Sequence, residues 1–303
     1  MANSVIKNHS DDIRAEIYRV TSELLEHLYQ YYRPFPEFDS VRFPATALTT
    51  ATEGYFLPVS LLKKMVVIPV WIFTIDDVID RKLLSDEELD ECLERYEWII
   101  TRDQDASDVY GCVLKDLYDQ LKERPLFFAL RGVWEEAYFR MIRGMLLEAR
   151  PNDRLPSYDE YLEHGAFSIG VPLYVVSTWI LASHEETMPN LDVLKEMMML
   201  SAKSIRLAND MRTYEKEKKE GNLNALVIME KKYESEGNTP DVAKGLALAF
   251  LREELERYRA QFLELVDDSV LPMRMLSNVT LFSLSFYDEH DFHTVDAGEI
   301  HHV

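Results

Sequence analysis

Apolar residues recur at three- and four-residue steps along almost the whole of this chain, and little interrupts them. Only 10 glycines and 12 prolines punctuate 303 residues, so long stretches carry no helix breaker. No segment alternates apolar and polar residues as a half-buried strand does, and no repeat or Pro/Gly/Ser-rich linker divides the sequence. The pattern predicts an all-α fold: a single domain over residues 1–303, a bundle of roughly ten helices around a centre. Disordered tails are expected at about 1–10 and 290–303. Helices are expected over 11–32, from Pro58 to Asp80, after a Ser85 cap, and over 109–122, 125–149 and 157–183. Further ones run from an Asn190 cap to Glu220 and over 223–232, 240–265 and 272–287.

Composition then limits the partners. The chain carries 33 Lys and Arg against 54 Asp and Glu, a formal charge of −21. Such a surface repels nucleic-acid phosphates, and no basic block relieves it. An anionic substrate would have to be met by metal ions or by a few focused cations. The two cysteines, Cys92 and Cys112, are too few for a disulfide framework or a zinc site, which suits reduced thiols in a cytoplasmic protein. The apolar run LLKKMVVIPVWIFTI is interrupted by Lys63 and Lys64 and is too short to span a bilayer, so no stable membrane insertion is expected.

Two oxygen-rich stretches stand out on long helices. In RLANDMRTYEKEKKEGN, Asn209, Thr213 and Glu217 are spaced four apart, which stacks an amide, a hydroxyl and a carboxylate on one helix face over about 12 Å. These are hard donors suited to Mg²⁺. In WIFTIDDVIDRK, Asp76, Asp77 and Asp80 gather at the end of an apolar helix, where three like charges are costly without cations. Facing each other across a cavity, the two sites could hold Mg²⁺ and a diphosphate. Arg206 and Lys216 project toward the same arc as the second row and would meet the remaining phosphate oxygens.

Aromatic side chains, among them Trp71, Phe73 and Trp179, sit on helices expected to be buried. Core packing accounts for them, and so does the lining of an apolar cavity whose ring faces stabilise cations. In SIGVP, Gly170 and Pro172 favour a break that would turn carbonyls near Ser168 and Ile169 toward that cavity; a simple kink is the other reading.

With these residues in place the sequence resembles the class I terpene synthases, an all-α family built around a central active-site cavity. DDVID is similar to the family's aspartate-rich motif, and NDMRTYEKE to its second metal motif. The resemblance covers nearly the whole chain. It implies three Mg²⁺ ions, with Asp76 and Asp80 ligating two of them and Asn209, Thr213 and Glu217 the third. It also implies catalytic roles for Asp76, Asp77, Arg206 and Lys216, the last two binding the diphosphate, and a prenyl diphosphate as substrate.

The segment RLANDMRTYEKEKKEGNLNAL is most similar to kaurene-synthase-like enzymes. That implies a diterpene synthase acting on geranylgeranyl or a bicyclic copalyl-type diphosphate. A farnesyl-using sesquiterpene synthase, a prenyl chain-elongating transferase and a non-catalytic helical module are the alternatives. A homodimer is compatible with the family. The chain departs from the family's bacterial pattern at Gly165, where a sensing Arg is usual, and at Phe286-Tyr287, where an Arg-Tyr pair is usual.

Overall fold

In the computed structural model, residues 6, 9–33, 35, 37–150 and 154–290 are described. The expected tails at 1–10 and 290–303 lie almost wholly outside them. The described residues hold thirteen α-helices and no strand: α1 Asp11–Tyr31, α2 Phe43–Gly54, α3 Val59–Met65, α4 Val67–Asp80, α5 Asp86–Arg102, α6 Val109–Lys122, α7 Phe127–Ala149, α8 Tyr158–Ser168, α9 Val171–Ala182, α10 Leu191–Glu220, α11 Ala225–Ser235, α12 Pro240–Leu265 and α13 Leu271–Glu289. The all-α expectation therefore holds.

Local chemistry sets the helix ends. Ser85 and Ser157 each open a helix with a reciprocal capping box, to Glu88 and Glu160, satisfying amides that would otherwise be orphaned. Asn190 precedes α10, but its side chain caps nothing there; its Nδ2 donates to the Glu186 carbonyl instead.

Three departures from the expected helices matter for the site. The segment from Pro58 to Asp80 is two helices, broken at Val66, because Pro69 has no N–H for the carbonyl a turn earlier. The segment 157–183 is likewise two helices, as the SIGVP reading allowed. Gly170 adopts φ +78°, and a Cβ there would stand 2.5 Å from Ile72 Cγ2; only glycine fits both the backbone and the space. Pro172, four residues after Ser168, offers no N–H to the Ser168 carbonyl. Finally, α2 was not expected at all, yet eleven of its twelve residues are buried.

The main core is continuous from α1 to α13, and a smaller cluster that includes Tyr161, Tyr214, Leu226 and Leu251 packs the end of α10 against α8, α11 and α12. By length and composition the stretch Tyr158–Ala182 could cross a membrane. Here it is broken at Gly170, and 83% of its most apolar 18-residue window is buried within the fold.

Candidate active site

The aspartate row ends α4 and the Asn-Thr-Glu row lies in the second half of α10. The fold brings them to one cavity of about 100 Å³. Asp76 and Asp80 line it from one side, and Asn209, Thr213, Lys216 and Glu217 from the other. The four-residue spacing on α10 does what the sequence implied, since Thr213 sits directly over the Asn209 carbonyl and donates to it at 2.9 Å. Outside lies a wider mouth of about 840 Å³, whose lining includes Arg42, Arg81, Arg150, Arg154, Lys216 and Lys231. A chain of formal charge −21 thus brings several cations to this opening, beside the carboxylates that share it.

Asp77, expected among the catalytic residues, lines the wider mouth and not the inner cavity. One residue beyond Asp76 it is rotated by about 100° and turns to the mouth, where Arg42 Nη2 donates to its Oδ1 at 2.7 Å and Arg81 lies at 3.3 Å. Burial holds its carboxyl pKa above the ordinary value, although the two arginines act to lower it. Its place is to lock the end of α4 to the turn that carries Arg42.

Arg206 is deeply buried and fixed on three sides. Its Nη1 donates to Glu148 Oε2 at 3.0 Å, its Nε lies 2.9 Å from Asp210 Oδ1, and its guanidinium covers the Tyr161 ring at 5.1 Å. Gly165 packs against this side chain: a Cβ there would be in ordinary contact with Arg206 Cγ at 3.4 Å. Glu148 also accepts from Ser168 Oγ at 2.5 Å.

Carboxylates outnumber the cations that face them inside the cavity. Burial and then Asp80 push the Asp76 carboxyl well above the usual range. Asp80 is pushed up to about 6, by burial and then by Glu148 and Glu217. Closely spaced hard oxygens that repel one another are what a divalent ion relieves. Among the described residues, no three His, Cys, Asp or Glu side chains converge tightly enough to hold an ion alone. The two rows face each other across open space instead, which fits Mg²⁺ bound by one or two protein carboxylates and completed by phosphate oxygens.

Of the expected cavity-lining residues, Phe73, Ser168 and Ile169 line the polar cavity. Trp71 and Trp179 do not. Trp71 lies two residues from Phe73, hence on the opposite face of α4; it stacks on Tyr138 at 6.0 Å and donates to the Tyr110 carbonyl at 3.0 Å. Trp179 is 1% exposed in the main core. A second, apolar cavity of about 70 Å³ lies below the first, sharing Ile72, Phe73, Ile169 and Tyr287 as a common wall. Arg42 covers the Phe73 ring at 4.8 Å.

Sequence reading missed four supports of the site: Arg42, Glu148, Tyr161 and Asn224. Asn224 is fully buried. Its Nδ2 donates to Glu217 Oε2 and to the Asp210 carbonyl, both at 2.8 Å, while its Oδ1 caps α11 at Leu226. An Asn just before an apolar run is a cap signal, and that was the one trace available.

This is the fold of a class I terpene synthase, with its two metal-motif helices facing across a cavity. Residues 68–257 match the family described as terpene synthase family 2, C-terminal metal binding, and the chain belongs to that enzyme family. It is 24% identical over 229 residues to ent-pimara-9(11),15-diene synthase from Streptomyces sp. (strain KO-3988), covering 72% of each. Of some plant relatives it spans far less, 10% of one and 21% of another. Its fold is similar to that of linalool/nerolidol synthase from Streptomyces clavuligerus in complex with 2-fluorogeranyl diphosphate. The TM-score is 0.70 and the identity 13%, over 90% of this chain and 97% of that one. It is also similar to 2-methylisoborneol synthase from Streptomyces coelicolor A3(2) in complex with Mg²⁺ and geranyl-S-thiolodiphosphate (TM-score 0.66, 16% identity, 93% and 92% covered).

Proposed function

We propose that this protein is a Mg²⁺-dependent class I diterpene synthase that ionises a C20 prenyl diphosphate and cyclises the resulting carbocation. The observation that carries the reading is the meeting of Asp76 and Asp80 with Asn209, Thr213 and Glu217 around one cavity, above an apolar compartment. Asp76 and Asp80 would hold two ions and the α10 row a third. Bound Mg²⁺ would offset the diphosphate's charge and the charge that develops on its bridging oxygen as the allylic C–O bond breaks.

The chain's own residues do the rest. Lys216 reaches diphosphate oxygens from the mouth and Arg206 from the floor, where Glu148 and Asp210 hold its guanidinium in place before substrate arrives. Ile72, Phe73, Ile169 and Tyr287 separate the diphosphate from the apolar cavity, so the allylic carbon is placed at that wall with its hydrocarbon tail beyond it. Apolar walls exclude water, and the Phe73 ring and the Ser168 carbonyl offer electron density to a cation.

Support for C20 comes from the Asn-Thr-Glu segment's similarity to kaurene-synthase-like enzymes and from the Streptomyces relative of similar length. The apolar compartment of about 70 Å³ favours a second reading, a farnesyl-length substrate. Two free cysteines suit a cytosolic setting, which we propose for it. Incubation with Mg²⁺ and, separately, farnesyl, geranylgeranyl and copalyl-type diphosphates, with mass spectrometry of the hydrocarbon extract, decides the chain length. Cyclic C20 product supports the first reading, and product from farnesyl diphosphate alone replaces it with the second.

A further inference from the structure

One wall residue of the apolar cavity, Tyr174, belongs to a titratable pair for which the ionisation step has no use. Glu53, in the middle of the bundle on α2, is 1% exposed. Its Oε2 accepts a hydrogen bond from the Tyr174 hydroxyl, and the Tyr174 side chain lines the apolar cavity from α9. Thr178, one turn beyond Tyr174, is the other group that favours the ionised form of Glu53. From α13, Asn278 Nδ2 donates to the Glu53 backbone carbonyl at 3.2 Å, and Arg274 lies over the Phe56 ring at 4.1 Å. The faces that α1 and α4 bury include Ile17, Leu24, Val70 and Trp71. No cation is among the groups acting on Glu53 in the described residues. A carboxyl buried with hydroxyl partners and no cation is costly in its charged form, and it invites an account other than packing.

A carbocation held in the adjacent cavity supplies one. Resting on the terpene synthase reading above, we propose that Tyr174 is the proton acceptor that ends the cation cascade, with Glu53 behind it as the group that makes it basic. In the step, the C–H bond beside the cationic carbon breaks and its electron pair becomes the new alkene. The proton forms a bond to Tyr174 Oη, and the phenol's own proton passes along the existing hydrogen bond to Glu53 Oε2. The carbocation and the carboxylate go in; a neutral alkene and a neutral acid come out. Tyr174 touches the reacting atoms, whereas Glu53 acts through it.

Burial raises the Glu53 carboxyl to about 8, so its carboxylate is a stronger proton acceptor than an ordinary one, and its ionised fraction grows across neutral pH. Tyr174 lines the apolar cavity and not the neighbouring one, which the aspartate and Asn-Thr-Glu rows line.

The test is the product mixture per diphosphate released, from geranylgeranyl diphosphate with Mg²⁺, for the wild type, Tyr174→Phe and Glu53→Gln between pH 6.5 and 9. In the wild type the share of the deprotonated alkene should rise severalfold across this range, bounded by the roughly thirtyfold growth in Glu53 carboxylate for a group titrating near about 8. Both variants should lose that dependence and shift toward water-captured or differently deprotonated products. The wild-type profile stands on its own if a variant folds poorly. A flat wild-type profile, or variants that keep both the profile and the mixture, overturns the proposal. Absence of any diphosphate release by the wild type overturns the terpene synthase reading instead, and this proposal with it.

Discussion

Asn224 Nδ2 lies 2.8 Å from Glu217 Oε2, so the last oxygen donor of the α10 row is oriented by the residue that caps the next helix. The same amide holds the Asp210 carbonyl, and Asp210 in turn accepts from the Ala225 amide at 3.0 Å and from Tyr161. The turn after α10 is therefore part of the site.

Asn224→Ala should cost both stability and metal affinity. It removes a helix cap and leaves buried groups without partners, together about 2–3 kcal/mol. It also frees the Glu217 carboxylate, for which roughly a tenfold loss of Mg²⁺ affinity is expected. Denaturant midpoints and a Mg²⁺ titration of turnover check the two effects. Unchanged Mg²⁺ dependence would show that Glu217 needs no such support.

Asp76→Asn and Asn209→Ala should each lower turnover by about a thousandfold or more while the fold persists. Asp76 is pushed well above the usual carboxylate range by burial and by Asp80, so removing its charge relieves repulsion, and stability should change by no more than about 1 kcal/mol. Thermal melts and diphosphate release measure both. Near-native turnover in either variant would remove that residue from the metal site.

Much of this site was legible from spacing. Four-residue steps put Asn209, Thr213 and Glu217 on one face because a helix has no other way to stack them. Gly170 and Pro172 announced their break for equally local reasons. The α2 helix was not legible: it is buried all round, so its Thr- and Ala-rich sequence carries no amphipathic stripe to read. Trp71 and Phe73 looked alike in composition, yet only three-dimensional packing says which face of α4 meets the cavity. Glu148 and Arg42 were hidden because their partners, Arg206 at 58 residues' distance and Asp77 at 35, are joined only by tertiary contact.

Stability should depend on pH through Glu53. An unfolded Glu titrates near about 4.3, and the folded side chain near about 8. Between these values the folded chain holds a proton that the unfolded chain has released, so this contribution is complete below about 4.3 and is lost as pH rises through about 8. Glu53→Gln cannot titrate. The stability difference between wild type and variant should therefore move in the variant's favour by a few kcal/mol, roughly, from pH 5 to pH 8.5. Denaturant unfolding at the two pH values measures it, and a constant difference would mean that Glu53 titrates normally.

Phe73→Ala opens the shared wall between the two cavities and removes the ring beneath Arg42. Turnover should fall by about tenfold as the cation-facing ring is lost, and longer prenyl diphosphates should gain relative to shorter ones. Competition between farnesyl and geranylgeranyl diphosphates reads the shift; an unchanged ratio would place the length gate elsewhere.

The facing rows on α4 and α10 are proposed to form one metal-diphosphate site. Its most direct test is thermal melting of the protein with Mg²⁺, with inorganic diphosphate, with both, and with both plus a chelator. Little shift is expected from either alone, a rise of several degrees with both together, reversal by the chelator, and no rise in Asp76→Asn or Asn209→Ala. A joint rise that persists in both variants would contradict it.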